Sequence, residues 1–408
     1  MSDSESHDQP LQPRLSLAER ERRHALVRGK MEAAGIDVLV LPAATGRWEQ
    51  NLADSRYLTT IGGFATEALT VFPREHAPTC YVFNRAKFWQ DAQGWIPDVR
   101  DGRNRWAENI AERLSEIGFK RGRIGIAGLG GLTRSPDGLI THRTVERLKA
   151  QFPAAEIVDA TQLMLDARRV KSAEEIALIE RSTVMAEKMI GTVHALRPGD
   201  TERTLYAGMV AKLVAEGGDL PAMILIGSGP ALDHGSFVPT RRTLAAGDLI
   251  VGEVEGHYAG YSGQIVRPAV LGRAAPAYRD LVEAASAVFA EVLAAMKPGV
   301  ALGEVASAYE RAVARQHGAI AYPLMHARGL GDEIPAVIAA EDRVRLADVV
   351  LEEGMTFVLK PRIARKGLPT AQIGDMVAVE ARGARRLGRL PMALIDVAWS
   401  DVSAPAGA

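Results

Sequence analysis

A short pattern that occurs twice in the second half of the chain most constrains its possible folds. Ala195–Gly199 reads Ala-Leu-Arg-Pro-Gly and Ala295–Gly299 reads Ala-Met-Lys-Pro-Gly. Each copy ends a predicted helix and is followed by an acidic residue, Glu202 or Glu304, by another predicted helix and then by a β-rich stretch. Two short matches could arise by chance, but a duplicated helix–helix–sheet unit explains them better. The pattern therefore predicts pseudo-twofold symmetry, with a site on the sheet between the halves.

The stretch Gly247–Pro268 predicts a β-hairpin with polar groups on one face. An apolar run precedes Glu253 and Glu255, which lie two residues apart, so that on a strand both carboxylates face the same side. His257 follows at a glycine-rich turn, and Ile265 begins the second predicted strand. Two interpretations stay open from this stretch alone. It is either a site with two carboxylates and an imidazole, or an edge hairpin whose polar residues alternate toward solvent.

Composition and charge exclude several classes of protein. The 408 residues are 47% hydrophobic and carry a formal net charge of −1, which gives no electrostatic case for nucleic acid or for an anionic membrane. The single cysteine, Cys80, rules out an internal disulfide framework, and its apolar neighbours indicate a buried small hydrophobe. No apolar run reaches the roughly 18 residues of a membrane helix, and the acidic start is not a secretory signal. We expect a cytoplasmic protein.

The chain is predicted to form two domains. Strands alternate with helices over the first part, which is typical of an α/β domain. Ser172 is a credible helix N-cap with Glu175 at the capping-box position, and the long amphipathic helix that follows starts a region of different character. We predict a disordered lead-in over residues 1–15, an α/β domain over 16–167 and a second domain over 168–408. The predicted helices of the first domain are 17–34, 107–117 and 142–151, and its predicted strands are 36–41, 69–72, 80–83, 123–127 and 156–159.

Five motifs of the chain belong together: VKSAEEIALIE, GSGPALDHGSFVPTRRTLAAGDLIV, EVEGHYAGYSGQIVR, HARGLGDEIP and LEEGMTFVLKP. They resemble the creatinase/aminopeptidase P/methionine aminopeptidase family, which is peptidase M24-like and has the pita-bread fold. The resemblance covers residues 168–386. It implies a creatinase N-terminal-like α/β domain followed by an α+β pita-bread domain with pseudo-twofold symmetry.

The resemblance also implies a dinuclear metal site, but the chain departs from it at every position. The family's two aspartates, histidine and two glutamates correspond here to Glu253, Gln264, Arg328, Lys360 and Gly374. Glutamine is a weak ligand, arginine is a permanent cation, glycine has no side chain, and lysine binds a metal only after losing its proton. Two divalent cations would also be repelled by Arg328 and Lys360. We therefore expect a site with no metal and no cofactor.

Creatinase is a metal-free member of the family, and its catalytic histidine corresponds to His234. An imidazole titrates near neutral pH, so we expect His234 to be the general acid/base. Lys360 is a second catalytic candidate, or else a structural ion pair with Glu253, and Glu253 is also among the predicted catalytic residues. Glu255 is predicted to orient His234 or to activate a water molecule. Because creatinase's two pocket glutamates correspond to Val266 and Lys360, creatine is not implied as the substrate.

The charges around this site predict an anionic ligand. Glu253 or Glu255 is the obvious partner for Lys360, which leaves about one positive charge, and the planar fork of Arg328 suits a carboxylate. Asp332 has two open roles, in the pocket or in the turn. The predicted substrate-binding residues are Arg328, Gln264, His326 and Asp332.

The leading function at this point is a metal-independent hydrolase of a non-peptide C–N bond in a small carboxylate-bearing substrate, as in creatinase or ectoine hydrolase. A metal-independent lyase acting on a small anionic substrate is an alternative, since the family includes a dimethylsulfoniopropionate lyase. A non-catalytic binding protein is an alternative of another class, since the family includes histone chaperones. A Xaa-Pro peptidase ranks below these, because metal-bound water is its usual nucleophile. A homodimer is implied by the resemblance.

Overall fold

The computed structural model describes residues 13–42, 53–63, 66–103, 105–132, 135–220, 223–230 and 238–399. The chain divides into two compact units. Unit 1 comprises Met1–Arg168 and Leu330–Asp332, and unit 2 comprises Arg169–Gly329 and Glu333–Ala408. Of the predicted lead-in over 1–15, all but the last three residues lie outside the described part.

Unit 1 is built on a mixed sheet with helices, which confirms the predicted α/β class. The strands are β1 (Val38–Leu41), β2 (Ala68–Pro73), β3 (Thr79–Val82), β4 (Val99–Asp101), β5 (Gly122–Ile126) and β6 (Ala155–Asp159). In the described residues the strand order is β4-β3-β2-β1-β5-β6. β2 is antiparallel to both of its neighbours, and the other pairings are parallel. The helices are α1 (Leu17–Ala33), α2 (Ala53–Thr59), α3 (Ala86–Ala92), α4 (Trp106–Glu116), α5 (His142–Gln151) and α6 (Thr161–Arg168).

The central strands of unit 1 are buried on both faces, as their continuous apolar runs require. On one face Val40 and Val71 belong to a cluster with Ile110 of α4. On the other face Cys80 belongs to a cluster with Trp89. Cys80 is fully buried, which confirms the prediction of a small buried hydrophobe, and this burial raises the pKa of its thiol to about 12.

In its described residues, unit 2 contains helices, two five-stranded sheets and a small third sheet. Its helices are α7 (Ala173–Ile190), a 3-10 helix (Gly191–Ala195), α8 (Glu202–Ala215), α9 (Pro276–Ala295), α10 (Leu302–Arg315) and α11 (Asp342–Arg345). The strands of the first sheet are β7 (Ile224–Gly229), β8 (Leu249–Tyr258), β9 (Tyr261–Ile265), β10 (Ala269–Leu271) and β19 (Ile395–Val397). Those of the second are β12 (Met325–Gly329), β13 (Gly331–Val337), β14 (Thr356–Leu359), β17 (Asp375–Glu380) and β18 (Gly383–Arg386). The third consists of β11 (Ala319–Ala321), β15 (Arg362–Ala364) and β16 (Ala371–Gln372).

The duplication predicted from the repeated Pro-Gly pattern is present in the fold. Helices α7 and α8 share a buried apolar cluster with β7 and β8, and α9 and α10 share another with β12, β14 and β17. The two sheets meet where Val266 and Gly374 exchange two backbone hydrogen bonds of 3.0 Å. The halves of unit 2 are therefore joined next to the end of β9.

Helix α7 fixes the position of the β8–β9 hairpin. It begins with the predicted capping box of Ser172 and Glu175. Gly256 and Gly263 face each other across the hairpin, and a Cβ at either would lie 2.1 Å from the Ser182 carbonyl oxygen or 2.2 Å from the Thr183 nitrogen. Because neither residue has a side chain, the helix backbone contacts the strands directly on this face.

Among the described residues, we find no helix with the length and apolar character needed to cross a membrane.

Candidate active site

The hairpin presents its polar residues on the face opposite α7. Glu253, Glu255 and His257 alternate along β8, and Gln264 of β9 lies directly across from Glu255. The glycines that contact α7 occupy the positions between them. This arrangement confirms the predicted hairpin and the shared side of its two carboxylates. It also decides against a solvent-facing edge, since Glu255, His257 and Gln264 are buried.

Glu253 is held by two donors, one from each sheet. Lys360 Nζ donates to Glu253 Oε1 at 2.7 Å, and Gln264 Nε2 donates to Glu253 Oε2 at 2.6 Å. The Glu253 side chain is 16% exposed and that of Lys360 is 5% exposed. The structure thus contains the ion pair that was one of the two interpretations of Lys360, and a catalytic role for Lys360 stays a prediction.

Glu255 pairs with Arg328. Arg328 donates through Nη2 to Glu255 Oε1 at 2.6 Å and through Nε to Oε2 at 3.0 Å, which is the two-point geometry of a guanidinium on a carboxylate. The two side chains are 2% and 1% exposed. In the described residues Glu255 therefore acts as the counterion of Arg328. Its predicted roles, orienting His234 or activating a water molecule, stay predictions, because His234 lies outside the described residues.

The second sheet supplies the cations from adjacent strands. His326 and Arg328 lie two residues apart on β12, opposite β14, and Lys360 follows the end of β14. The Thr356 hydroxyl of β14 donates to the Arg328 carbonyl oxygen at 2.6 Å, which fixes the Arg328 backbone. His326 is half-buried, with Nδ1 3.2 Å from the Ala327 carbonyl oxygen.

The four charged groups form what we call the hairpin cluster: Glu253, Glu255, Arg328 and Lys360, together with Gln264. Each cation has a carboxylate partner. The expectation of about one spare positive charge for an anionic ligand is therefore wrong for this cluster. That expectation assumed that only one carboxylate of the hairpin pairs with a cation, whereas both carboxylates do. The assignment of Arg328 to a substrate carboxylate stays a prediction.

Two predicted site residues fall outside what the structure describes. His234 lies in the segment 231–237, and the side chain of Asp332 is also outside the described part. Their predicted roles, general acid/base for His234 and pocket or turn for Asp332, stay predictions.

Two neighbouring residues have structural roles. His257 Nε2 lies 3.0 Å from the Gly260 carbonyl oxygen inside the hairpin turn, and Arg267 pairs with buried Asp375 at 2.7 Å. Arg267 therefore forms a structural ion pair.

Glu202 has a role that sequence reasoning missed. Its Oε1 accepts hydrogen bonds from the Ser228 nitrogen (2.7 Å) and hydroxyl (2.9 Å), and its Oε2 accepts from the nitrogen and hydroxyl of Thr240, both at 2.7 Å. Burial raises the pKa of the Glu202 carboxyl, but the hydrogen bonds from Thr240 and Ser228 lower it by more, so it lies below its ordinary value. The sequence marked Glu202 only as the acidic residue after a Pro-Gly pair.

The comparisons with known proteins cover both units. The Creatinase/Prolidase N-terminal domain family matches residues 23–170, and Metallopeptidase family M24 matches residues 177–381, half of the chain. The chain belongs to Metallopeptidase family M24. The resemblance inferred from the five motifs is confirmed, and so is the combination of a creatinase-type N-terminal domain with a pita-bread domain.

Among its relatives, a Xaa-Pro dipeptidase of Pyrococcus furiosus is 27% identical over 264 residues, which are 64% of this chain and 74% of that protein. A probable dipeptidase PepE of Mycobacterium tuberculosis is 31% identical over 251 residues, 58% of this chain and 63% of that protein. A solved Xaa-Pro dipeptidase from Bacillus anthracis aligns with a TM-score of 0.74 at 18% identity, covering 93% of this chain and 100% of that one. At this identity the structural likeness shows the fold.

These findings correct the predicted function. A metal-independent hydrolase of a non-peptide C–N bond is wrong, because the matching family is a metallopeptidase family and the relatives are named as dipeptidases. The ranking that placed a Xaa-Pro peptidase below a lyase and a binding protein is overturned by the same names. The coarser prediction of a hydrolase is supported.

The family name implies a metal, and the residues of the hairpin cluster do not fit one as they are arranged. Both oxygens of Glu253 and both oxygens of Glu255 accept hydrogen bonds from other side chains. Lys360 and Arg328 add two positive charges where a divalent cation would need anionic ligands. In the described part of the chain no group of three or more His, Cys, Asp or Glu side chains is arranged to hold a metal ion.

Proposed function

We propose that this protein is a hydrolase of short peptides that cleaves a peptide C–N bond, with Xaa-Pro dipeptides as the first substrate class to test. Family membership carries the proposal: the M24 match covers residues 177–381, and two relatives that match 64% and 75% of this chain are named Xaa-Pro dipeptidases. The sequence predicted a small substrate that bears a carboxylate. A dipeptide is also a small molecule, and it has one terminal carboxylate and one terminal ammonium group.

The hairpin cluster supports this proposal through the accessibility of Glu253. Glu253 is 16% exposed, whereas Glu255 is 1% exposed, so Glu253 is the carboxylate of the pair that a ligand can approach. Lys360 and Gln264 each bind one of its oxygens and so fix its orientation. Glu253 is therefore the residue of the cluster at which a substitution tests the proposal most directly.

The experiment is a cleavage assay on the purified full chain. Xaa-Pro dipeptides and matched dipeptides without proline are incubated with the protein in EDTA and, separately, in Mn²⁺, Co²⁺ and Zn²⁺, and released amino acids are measured by mass spectrometry. We expect release of both amino acids under at least one condition, and a loss of about 100-fold or more in kcat/KM for Glu253→Gln. Glu380→Gln, on the exposed end of β17, is the matched control and should keep wild-type activity.

Two results would overturn the proposal. One is the absence of cleavage of every dipeptide under every metal condition with a folded protein. The other is cleavage that Glu253→Gln leaves unchanged, which would place the reaction away from the hairpin cluster.

A further inference from the structure

The hairpin cluster has oxygen atoms that could act as ligands of a cation, and the ammonium group of a lysine lies against them. Glu253 contributes two carboxylate oxygens, and the one at Oε1 is taken by Lys360 Nζ at 2.7 Å. The Lys360 side chain is 5% exposed and comes from the other sheet, 107 residues along the chain. A compact monovalent cation therefore lies against the carboxylate at the junction of the two halves.

Gln264 adds a third oxygen whose orientation is fixed by chemistry. Its Nε2 lies 2.6 Å from Glu253 Oε2, and only an N–H can donate to a carboxylate, so the other amide atom must be the oxygen. Gln264 is fully buried, and among the described residues its Oε1 has no hydrogen-bond partner. A buried acceptor without a donor is costly, and it marks a position suited to a cation or an N–H group.

Gly374 provides the space that Lys360 occupies. A Cβ at Gly374 would lie 2.5 Å from the Lys360 Cβ and 3.0 Å from the Leu359 carbonyl oxygen. A side chain at position 374 is therefore incompatible with Lys360 in its present place. The lysine and the glycine form one packing arrangement, and the cation is built into the sheet junction.

From these contacts we propose that Lys360 is the resident cation of the hairpin cluster: its ammonium occupies the place at Glu253 that a divalent metal ion would need, and the cluster accepts such an ion only when Lys360 is replaced. The proposal concerns metal occupancy alone and does not rest on the proposed peptidase function. Any metal that supports activity would bind elsewhere in the chain.

Metal counting on the purified full chain tests the proposal. The protein is equilibrated with Mn²⁺, Co²⁺ or Zn²⁺, desalted and analysed by plasma mass spectrometry, with thermal unfolding measured in 1 mM of each metal. We expect the wild type and Glu253→Gln to contain the same amount of metal and to show the same change in Tm when metal is added. Lys360→Glu should gain about one Mn²⁺ per chain and a metal-dependent rise in Tm, because ligand binding to the native state stabilises it.

Two further variants keep the test decisive. Lys360→Met removes the ammonium without adding a charge, and it should gain weaker binding, so the test survives if Lys360→Glu does not fold. Lys171 pairs with Glu333 elsewhere in unit 2, with both side chains 1% exposed. Lys171→Met is thus a matched removal of a buried lysine and should gain no metal.

Three results would contradict the proposal. The first is near-stoichiometric metal in the wild type that Glu253→Gln abolishes. The second is no gain of metal by either folded Lys360 variant. The third is metal binding by Lys360→Glu that persists when Glu253→Gln is added. None of these outcomes depends on whether dipeptides are cleaved.

Discussion

Replacing Arg328 with Met removes the cation that faces Glu255 and leaves that carboxylate buried. Both side chains are almost fully enclosed, at 2% and 1% exposure, and the guanidinium reaches both carboxylate oxygens. Breaking a buried ion pair by removing one partner costs about 3–5 kcal/mol. For a unit of this size such a loss corresponds to a fall in Tm of about 6–20 °C.

The neighbouring pair provides an internal comparison. Lys360→Met leaves Glu253 16% exposed and still bound to the Gln264 amide, so water and one donor remain to it. Its cost should be smaller, about 1–3 kcal/mol. The double variant Arg328→Met with Glu255→Leu removes both charges together and should recover most of the stability lost in Arg328→Met.

Urea unfolding followed by circular dichroism measures these free energies, and a double-mutant cycle gives the coupling between Arg328 and Glu255. The reasoning would be refuted if Arg328→Met cost less than about 1 kcal/mol, the range of an exposed ion pair. It would also be refuted if Lys360→Met proved the more destabilising of the two single variants.

Two further predictions concern Glu202 and the contact between the hairpin and α7. Glu202→Gln should cost about 2–3 kcal/mol, because an amide cannot accept all the hydrogen bonds from Ser228 and Thr240. The pKa of Glu202 is lowered in the folded state. The stability that its carboxylate contributes should therefore be fully present above the ordinary glutamate pKa and be lost as the pH falls through the lower folded value. A pH series of unfolding measurements on wild type and variant would detect this loss. An alanine at Gly263 would place its Cβ 2.2 Å from the Thr183 nitrogen, so Gly263→Ala should lower the free energy of unfolding by about 3 kcal/mol or more. Gly191→Ala is the control: there is open space around its Cβ, so the free energy of unfolding should stay within about 1 kcal/mol of the wild type in the same assay.

Much of the fold could be predicted because local signals agreed with each other. The capping box at Ser172, the repeated Pro-Gly helix ends and the alternation in β8 each have a short-range physical cause, and each is present in the structure. Elements without such a signal were missed. Helix α3, for example, has a left-handed N-cap at Arg85 with no side-chain capping bond.

The sequence predicted which residues form the candidate site better than it predicted the contacts between them. Same-side spacing placed Glu253 and Glu255 together, and the family resemblance added Arg328 and Lys360. Which carboxylate pairs with which cation depends on the register between two sheets, joined at Val266 and Gly374, and no local pattern encodes that register.

The contacts of Glu202 and the function could not be predicted correctly from the sequence, for two different reasons. The four hydrogen bonds to Glu202 connect residues 26 and 38 positions away, so their partners cannot be found from spacing. The predicted function failed for a different reason. It inferred the reaction from which ligand residues are missing, whereas the family match and the names of the relatives support a peptidase.

A crystal structure of the wild-type chain soaked in MnCl₂, with an anomalous difference map, is the most direct test of the charge-paired centre. The account predicts Lys360 Nζ within hydrogen-bond distance of Glu253 Oε1, Arg328 on Glu255, and no anomalous peak at the hairpin cluster. A manganese peak bound by Glu253 and Gln264, with the Lys360 side chain displaced, would contradict it.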